Sequence, residues 1–275
     1  MSDDLIYRPG TNVREDVHLD AGSLHVGTAN GLRSRQWTYS IGLRSLSGLT
    51  REAREATCTL TALERADLDR AECLFDADVA SNKPGLLIYK HEWSCRAIVV
   101  KSEPQEILPT IIQSTITVVL LDGVWRRGTT TAYNPALIPG AQYLDYPYDY
   151  PYDYAPGSLV SWARNHSLVS SPVRLVVYGP AINPYVMIGV NRYQVDVGVP
   201  AGGYLTVDGV GRSIVLTGPD GDRTDCFAAG HRGGGRDRGE YIFQPVPPGS
   251  SEVSWPQNFG FDLTVYEERS APPWI

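Results

Sequence analysis

Cysteine is scarce in this sequence. Its 275 residues include four, Cys58, Cys73, Cys95 and Cys226. No two of them form a C-x-x-C pair and no histidine stands at metal-ligand spacing from them, so the pattern indicates neither a zinc site nor a disulfide framework. We therefore predict buried free thiols, since an unpaired cysteine behaves as a small hydrophobic residue.

Catalytic and cofactor-binding motifs are also missing. The sequence contains no G-x-S-x-G, H-E-x-x-H, P-loop or G-x-G-x-x-G pattern. No residue is singled out as catalytic, cofactor-binding or metal-binding, so we predict a protein that uses no cofactor and is not an enzyme. The paired carboxylates of a glycosidase stay open as an alternative, because the separation of such a pair is spatial and cannot be read from a sequence.

Long apolar runs and a surplus of basic residues are absent as well. The acidic segment Met1-Ser2-Asp3-Asp4 is not followed by an apolar run, so we expect neither a signal peptide nor membrane insertion. The formal net charge of −7 argues against binding to nucleic acid, which requires a basic face. These absences predict a protein that is made and folded in a cytoplasm.

Glycine, proline and tyrosine are abundant, with 27, 20 and 16 residues. The hydrophobic fraction of 42% and the charged fraction of 20% are typical of a folded soluble chain. Turn-forming residues that alternate with valine, threonine and tyrosine predict many short strands.

One segment, residues 143–157, repeats the unit Tyr-Pro-Tyr-Asp. Its three prolines exclude an α-helix, and in an extended chain its alternate tyrosines lie on one face. We predict a strap that docks on a protein surface, because ordering this much aromatic area is favourable only when it is buried. The docking residues would be Tyr148, Tyr150 and Tyr152. A free, stiff linker is the alternative, and on either interpretation the chain divides here.

The part before this segment, residues 1–142, is predicted to be α+β. Residues 61–77 have apolar side chains near helical spacing, and Thr61 with Glu64 fits a capping box at their start. Short alternating segments on both sides predict strands, and the β-branched run at 107–121 predicts a long one. The expected arrangement is a sheet with one helix packed against it.

The part after the strap, residues 158–275, has no helical pattern. Turn signals such as Gly179-Pro180 and Asp208-Gly209 separate many short strands at regular intervals. Short strands separated by turns at regular intervals predict an antiparallel β-sandwich. Loops on such a scaffold usually carry the binding function, so we predict partner or receptor contacts at the tips around 219–225 and 230–239. The candidate contact residues are Asp220, Asp222, Arg223, His231, Arg232, Arg236 and Arg238.

Neither tip matches a known ion-binding pattern. The aspartates at 220–225 have calcium-like spacing but lack the bidentate glutamate of an EF-hand loop, which favours a solvated turn. The Gly/Arg stretch at 230–239 lacks the Lys-Ser/Thr of a P-loop, which favours a flexible hairpin loop. The aromatic residues of this part either fill the sandwich core or stack on sugar rings from an open face.

A family resemblance follows from several short segments that occur in order along the chain. Among them are Asn30-Gly31-Leu32, Arg35-Gln36-Trp37-Thr38-Tyr39, Leu121-Asp122-Gly123-Val124-Trp125, Tyr178-Gly179-Pro180 and Ser270-Ala271-Pro272-Pro273-Trp274. Together with the Tyr-Pro-Tyr-Asp repeats they extend over nearly the full length. In this respect the chain resembles the distal tail proteins (Dit) of long-tailed bacteriophages.

This resemblance implies a structural protein of the virion tail tip, without catalytic residues. It implies a ring, expected to be a hexamer, built by residues 1–142, and a galectin-like β-sandwich in residues 158–275. The implied partners are other copies of the chain, the tail tube protein, and tail-associated, tail fibre or receptor-binding proteins. Host cell-wall glycans are a further possible ligand.

Three functions therefore stay open at the level of sequence. The first is a tail-tip ring that joins the tail tube to the adsorption apparatus. The second is a carbohydrate-binding module on an assembly domain, which would help to recognise the host surface. The third is a glycoside-cleaving enzyme. The first is favoured by the resemblance and by the absence of catalytic motifs.

Overall fold

The computed structural model describes residues 5–27, 29–108, 110–135 and 161–273. The Tyr/Pro segment with Tyr148, Tyr150 and Tyr152 lies outside the described residues, so its docking stays a prediction. The chain forms two compact units: unit 1 is Met1–Arg127 with Glu268–Ile275, and unit 2 is Gly128–Glu267. The chain thus leaves unit 1 after Arg127 and returns to it at Glu268, whereas the sequence suggested one division after residue 142.

Unit 1 is a sheet with a helix against it, as the sequence predicted. Its helices are α1 (Asn30–Arg33) and α2 (Arg65–Ala80). Its strands are β1 (Leu5–Arg8), β2 (Val17–His18), β3 (Asp20–Ala21), β4 (Leu24–Val26), β5 (Thr38–Ile41), β6 (Leu46–Thr50), β7 (Arg54–Ala62), β8 (Gly85–Tyr89), β9 (Trp93–Ile107) and β10 (Ile112–Leu120). The strand β11 (Trp125–Tyr133) begins in unit 1 and continues into unit 2.

The main sheet of unit 1 is antiparallel. Its central strands follow the order β9-β10-β7-β4-β3, and β8 joins β9 to β1. Along β7 alternate side chains are buried, and the same holds for β10. Helix α2 places Leu68, Ala71 and Phe75 in the same core. The ring of Phe75 meets the ring of Tyr7 edge to face, with centroids 5.2 Å apart, and burying a side chain of this size contributes about 1.5–3 kcal/mol.

The start of the predicted helix was wrong by four residues. Residues 61 and 62 belong to β7, where Thr61 pairs with Gln113 of β10. The first helical residue is Arg65, and its N-cap Glu64 makes no side-chain capping bond. Thr61, which the capping-box pattern assigned to the helix, is therefore part of the sheet. The helix ends at Ala80, three residues beyond the segment in which the sequence shows helical spacing.

The cysteines only partly fit the prediction of buried thiols. Cys58 and Cys95 are buried, and burial raises the pKa of each to about 12. Cys73 is exposed on α2, and Cys226 is half-buried. The helical periodicity around Cys73 points that side chain away from the core. All four are free thiols.

Unit 2 is an antiparallel β-sandwich, which confirms the predicted fold class. Its strands are β12 (Ser161–Asn165), β13 (Val173–Tyr178), β14 (Ala181–Ile182), β15 (Tyr185–Ile188), β16 (Asn191–Gln194), β17 (Gly198–Val199), β18 (Tyr204–Asp208), β19 (Ser213–Thr217), β20 (Arg223–Asp225), β21 (Gly249–Ser254) and β22 (Phe261–Arg269). One sheet has the order β20-β19-β18-β13-β22, with the later part of β11 beside β22. The other has the order β12-β21-β15-β16.

The two sheets of unit 2 share one core. Leu175, Leu205 and Phe261 come from the first sheet. Val186 and Val253 come from the second. Their neighbours in sequence are mostly less buried, so the alternation along each strand separates a core face from an outer face. Among the described residues of both units, no helix is long and apolar enough to span a membrane.

Candidate assembly and binding surfaces

The first predicted contact tip is a tight hairpin between β19 and β20. Thr217 pairs with Arg223 at its base, and the Gly218 N–H donates to the carbonyl of Asp222 over 2.8 Å. Asp220, Asp222 and Arg223 are all exposed at this tip. Within the described parts of the chain, no group of three His, Cys, Asp or Glu side chains is placed to hold a metal ion.

The second predicted tip, residues 230–239, does not form a two-stranded hairpin, and backbone hydrogen bonds join both of its ends to other parts of unit 2. The His231 N–H donates to the carbonyl of Gln194 on β16 over 3.0 Å, and the Ile242 N–H donates to the carbonyl of His231 over 2.9 Å. Gly230 lies so close to β19 that an added Cβ would be 2.3 Å from Cδ1 of Ile214. This segment therefore closes the edge of the sandwich between the two sheets.

Two of the predicted contact residues serve the fold of this closing segment. His231 Nε2 is 2.7 Å from a carboxylate oxygen of Asp196, and this contact holds the pKa of Asp196 below its usual value. The guanidinium of Arg232 lies 4.1 Å from the ring centroid of Phe227 and donates to the Phe227 carbonyl over 2.8 Å. Arg236 and Arg238, in contrast, are exposed. The candidates thus divide into exposed residues on both tips and two half-buried anchors.

The outer face of the first sheet carries two exposed tyrosines directly opposite each other. Tyr178 of β13 pairs with Tyr204 of β18, and their exposed fractions are 44% and 39%. The Tyr178 hydroxyl donates to Asp262 over 2.7 Å, which raises the pKa of Tyr178. The same row continues through Thr217 to Arg223. Aromatic surface flanked by a carboxylate and a guanidinium is suited to a ligand with both apolar faces and hydroxyl groups.

In unit 1, a two-stranded hairpin extends from the rest of the fold. We call residues 37–50, which include β5 and β6, the arm. Every residue in it is exposed, including large apolar ones. Ile41 is 76% exposed, Leu43 is 100% exposed and Leu46 is 59% exposed. The alternation of apolar and polar residues here is typical of a strand and gives no sign that the apolar residues lie outside the core.

The base of the arm is fixed by arginines. The Arg54 guanidinium donates to the carbonyls of Gly31 and Ser34, over 2.7 and 3.0 Å. Its burial lowers the pKa of Arg54. Arg51 lies 4.8 Å from the ring centroid of Trp37. The arm therefore begins at an ordered point of unit 1, and its far end, closed by the Gly42 N–H to Ser45 carbonyl bond of 2.8 Å, lies in solvent.

A second apolar surface of unit 1 lies where β9 and β10 meet. We call the cavity lined there by Leu63, Ile107, Leu108 and Ile111 the recess. Its volume is about 330 Å³, and its other lining residues are Ala62, Arg65, Thr110 and Ile112. Ile107 is 69% exposed and Leu63 is 50% exposed. Exposed aliphatic side chains grouped around a cavity are typical of an interaction surface.

Comparisons with known proteins show that this chain is similar to solved structures at the level of the fold. No protein-family profile matches the sequence. No curated protein matches it either. The structure is similar to that of SPP1 Dit (gp 19.1), described as a paradigm of the hub adsorption apparatus in phages that infect Gram-positive bacteria. That match has a TM-score of 0.56 and 13% identity and covers 98% of this chain and 100% of the other.

Chains of the phage P2 baseplate are also similar, in its activated conformation with Ca and with Sr. Each of these two matches has a TM-score of 0.62 and 11% identity and covers 99% of this chain and 100% of the other. The resemblance drawn from the sequence is thus confirmed at the level of fold. The chain has the fold of a Dit hub protein.

Proposed function

We propose that this chain is a structural protein of a bacteriophage tail, a distal tail protein. In this role it forms a ring at the tail tip that joins the tail tube to the host-adsorption apparatus. The observation that carries the proposal is the fold shared with SPP1 Dit along 98% of this chain and the whole of the other. A fold alone does not fix a function, so surfaces suited to assembly provide the second line of support.

Unit 1 carries such surfaces. The arm and the recess both expose large aliphatic side chains. An isolated two-stranded hairpin is only marginally stable in water, so an arm of this kind is better explained by a partner that covers it. We therefore assign ring formation to unit 1, in keeping with the role expected for residues 1–142, and expect six copies in the ring.

Unit 2 then provides the surface for other tail components. Its exposed tip residues Asp220, Asp222, Arg223, Arg236 and Arg238 are the proposed contacts for tail-associated, tail fibre or receptor-binding proteins. The ring itself would contact the tail tube protein. In this role the protein is made in the cytoplasm of the host bacterium and is located at the tip of the virion tail.

Electron microscopy of the purified full-length chain tests the ring directly. Rings of uniform diameter are expected, with a mass of six chains by light scattering. A chain that stays monomeric at every concentration would contradict the proposal. Purified protein that cleaves a polysaccharide with turnover would contradict the non-enzymatic part of it.

The tyrosine pair on unit 2 favours a second candidate function, binding of a host glycan. Tyr178 and Tyr204 together present an exposed aromatic surface beside Asp262. A glycan array with the full-length chain tests this function, with Tyr178→Ser and Tyr204→Ser as binding-deficient variants. Trp162, which is 51% exposed, provides a control in Trp162→Ser. Binding that survives both tyrosine substitutions would exclude this face as the site.

A further inference from the structure

The arm has one apolar face and one polar face. Ile41 pairs directly with Leu46, so their side chains share a face. On the opposite face Ser40 pairs with Ser47, and Thr38 pairs with Thr50. Because side chains alternate along a strand, Tyr39 lies on the apolar side with Ile41. A hairpin with this pattern is built to be covered on one side, yet that side is exposed.

Charge distinguishes the arm from the recess. The arm, residues 37–50, contains one charged residue, Arg44, and Arg35 lies two residues before the arm. Arg35 and Arg44 make no hydrogen bond or ion pair in the described chain. Beside the recess lie the exposed carboxylates Glu64 and Glu106, which likewise have no described partner. The arm is therefore basic and apolar, whereas the recess is apolar with acidic residues beside it.

One basic residue lines the recess and has to be accounted for. Arg65 Nε lies 3.9 Å from a carboxylate oxygen of Asp69, one turn along α2. Its charge is thus partly balanced within the helix. Helix α2 contains five acidic and two basic residues, and the four acidic ones other than the buried Asp78 are at least partly exposed. The surface that includes the recess and α2 therefore remains acidic, which is complementary to the arm.

The arm and the recess lie at opposite ends of the same two strands. Arg54, at the base of the arm, pairs with Leu120, whereas Ala62, in the recess, pairs with Ile112. Eight residue steps along β7 correspond to about 27 Å at roughly 3.4 Å per residue. Both surfaces are exposed, so neither covers the other within one chain. Two complementary surfaces at opposite ends of one subunit create a head-to-tail contact, which produces a ring when its rotation closes.

We propose that the arm of one copy docks through Tyr39, Ile41 and Leu46 into the recess of the next copy, against Leu63, Ile107 and Ile111. This inference deepens the proposed ring function and rests on it. The apolar faces provide the contact area, and Arg35 and Arg44 approach the carboxylates beside the recess. Every subunit in the ring then offers one arm and fills one recess, so all copies make the same two contacts.

Two full-length variants test the contact. The arm variant is Ile41→Asp with Leu46→Asp, and the recess variant is Leu63→Asp with Ile107→Asp. All four side chains are at least half exposed in the single chain, so the variants are expected to fold, which circular dichroism checks. Each substitution should weaken self-association about 10- to 100-fold, the effect of leaving one large aliphatic side chain uncovered. Leu168→Asp, at a residue 97% exposed in unit 2, is the control and should assemble like wild type.

Mixing the two variants gives a sharper result. The recess variant keeps an intact arm, and the arm variant keeps an intact recess, so one contact can form between them and no further one. Native mass spectrometry should show monomers for each variant alone and a one-to-one dimer for the mixture. Larger assemblies of the mixture would overturn the head-to-tail contact.

The remaining outcomes separate this inference from the ring itself. If wild type and both variants form the same rings, the arm and the recess are not the contact, while the proposed function stands. If only the arm variant is defective, the arm binds a different surface and the recess assignment is wrong. If the wild-type chain is monomeric at all concentrations, both the inference and the proposed ring fail.

Discussion

The hydroxyl of Tyr7 donates a 2.6 Å hydrogen bond to the carboxylate of Asp78, a residue with no exposed surface. The same carboxylate accepts from the Gly10 N–H over 3.0 Å. It also accepts from the N–H and the hydroxyl of Thr11, over 2.8 and 2.6 Å. A single buried charge on α2 therefore holds β1 and the loop that follows it. Substitutions at Asp78 therefore test the stability of unit 1 independently of its assembly.

Replacing Asp78 by asparagine should destabilise unit 1. Whichever carboxylate oxygen becomes the amide nitrogen then faces a backbone N–H that cannot accept from it, so the substitution loses charge-assisted bonds and should cost about 1.5–3 kcal/mol. Urea unfolding of the full-length chain measures this cost. Asp76→Asn, at an exposed position on the same helix, is the matched control and should change stability little. Equal stability of the two variants would show that the Asp78 bonds are not stabilising.

The same carboxylate should make stability depend on pH. Burial raises the pKa of Asp78, but the bonds from Thr11, Tyr7 and Gly10 outweigh it and hold that pKa below the usual value. A carboxyl whose pKa is depressed by folding stabilises the protein above its unfolded value of about 3.9 and loses that contribution as pH falls through the folded value. The difference in unfolding free energy between wild type and Asp78→Asn should therefore shrink below about pH 4. A difference that stays constant down to pH 3 would contradict this account.

An ion-pair network in unit 1 should tie the C-terminal segment to the earlier chain. Arg126 donates to Glu268 over 2.8 Å and to Asp122 over 2.6 Å, and the side chains of Arg126 and Glu268 are 18% and 20% exposed. Glu268→Gln should cost roughly 2–3 kcal/mol, somewhat less than a fully buried pair. The control is Glu92→Gln, which removes a carboxylate 3.3 Å from Arg127 at a 59% exposed site and should cost under about 1 kcal/mol. Thermal unfolding of both variants checks that Glu268→Gln is more destabilising than Glu92→Gln.

The two kinds of contact residue in unit 2 should respond differently to substitution. Asp222→Ala and Arg238→Ala remove exposed side chains, so the fold and the ring should be unaffected while docking of other tail proteins weakens. His231→Ala removes the contact with Asp196 that helps to close the edge of the sandwich, so it should lower the melting temperature. Differential scanning calorimetry, with co-sedimentation on isolated tails, separates the two effects. Intact docking in both exposed variants would place the partner surface elsewhere on unit 2.

Much of the fold could be predicted because alternation is a local signal. Val173, Leu175 and Val177 alternate with more exposed residues in the sequence, and all three are buried in the sandwich core. The long helix α2 was recognised from the spacing of residues such as Ala71 and Phe75. Its start was misplaced because Thr61 satisfies a helix cap and a strand equally well in sequence, and only the partner strand β10 decides between them.

The candidate surfaces were harder to predict, for a physical reason. Tyr39 and Ile41 alternate with polar residues, as in strands that face a core. The local sequence does not show that this face is left without a covering layer. The loop at 230–239 has the glycines typical of a flexible segment, yet Gly230 lies against Ile214 of β19, and the backbone N–H of His231 bonds to β16. Both features depend on packing between residues far apart in the sequence, which the periodicity of a short segment does not show.

The order in which the chain is translated gives a further meaning to the return of Glu268 to unit 1. The ribosome makes the arm and the recess first, then all of unit 2, and only then the segment that begins at Glu268. Until that segment emerges, Arg126 and Arg51 lack the carboxylate that contacts both in the finished fold. The ion-pair network of unit 1 is thus completed only after the whole of unit 2 has been made.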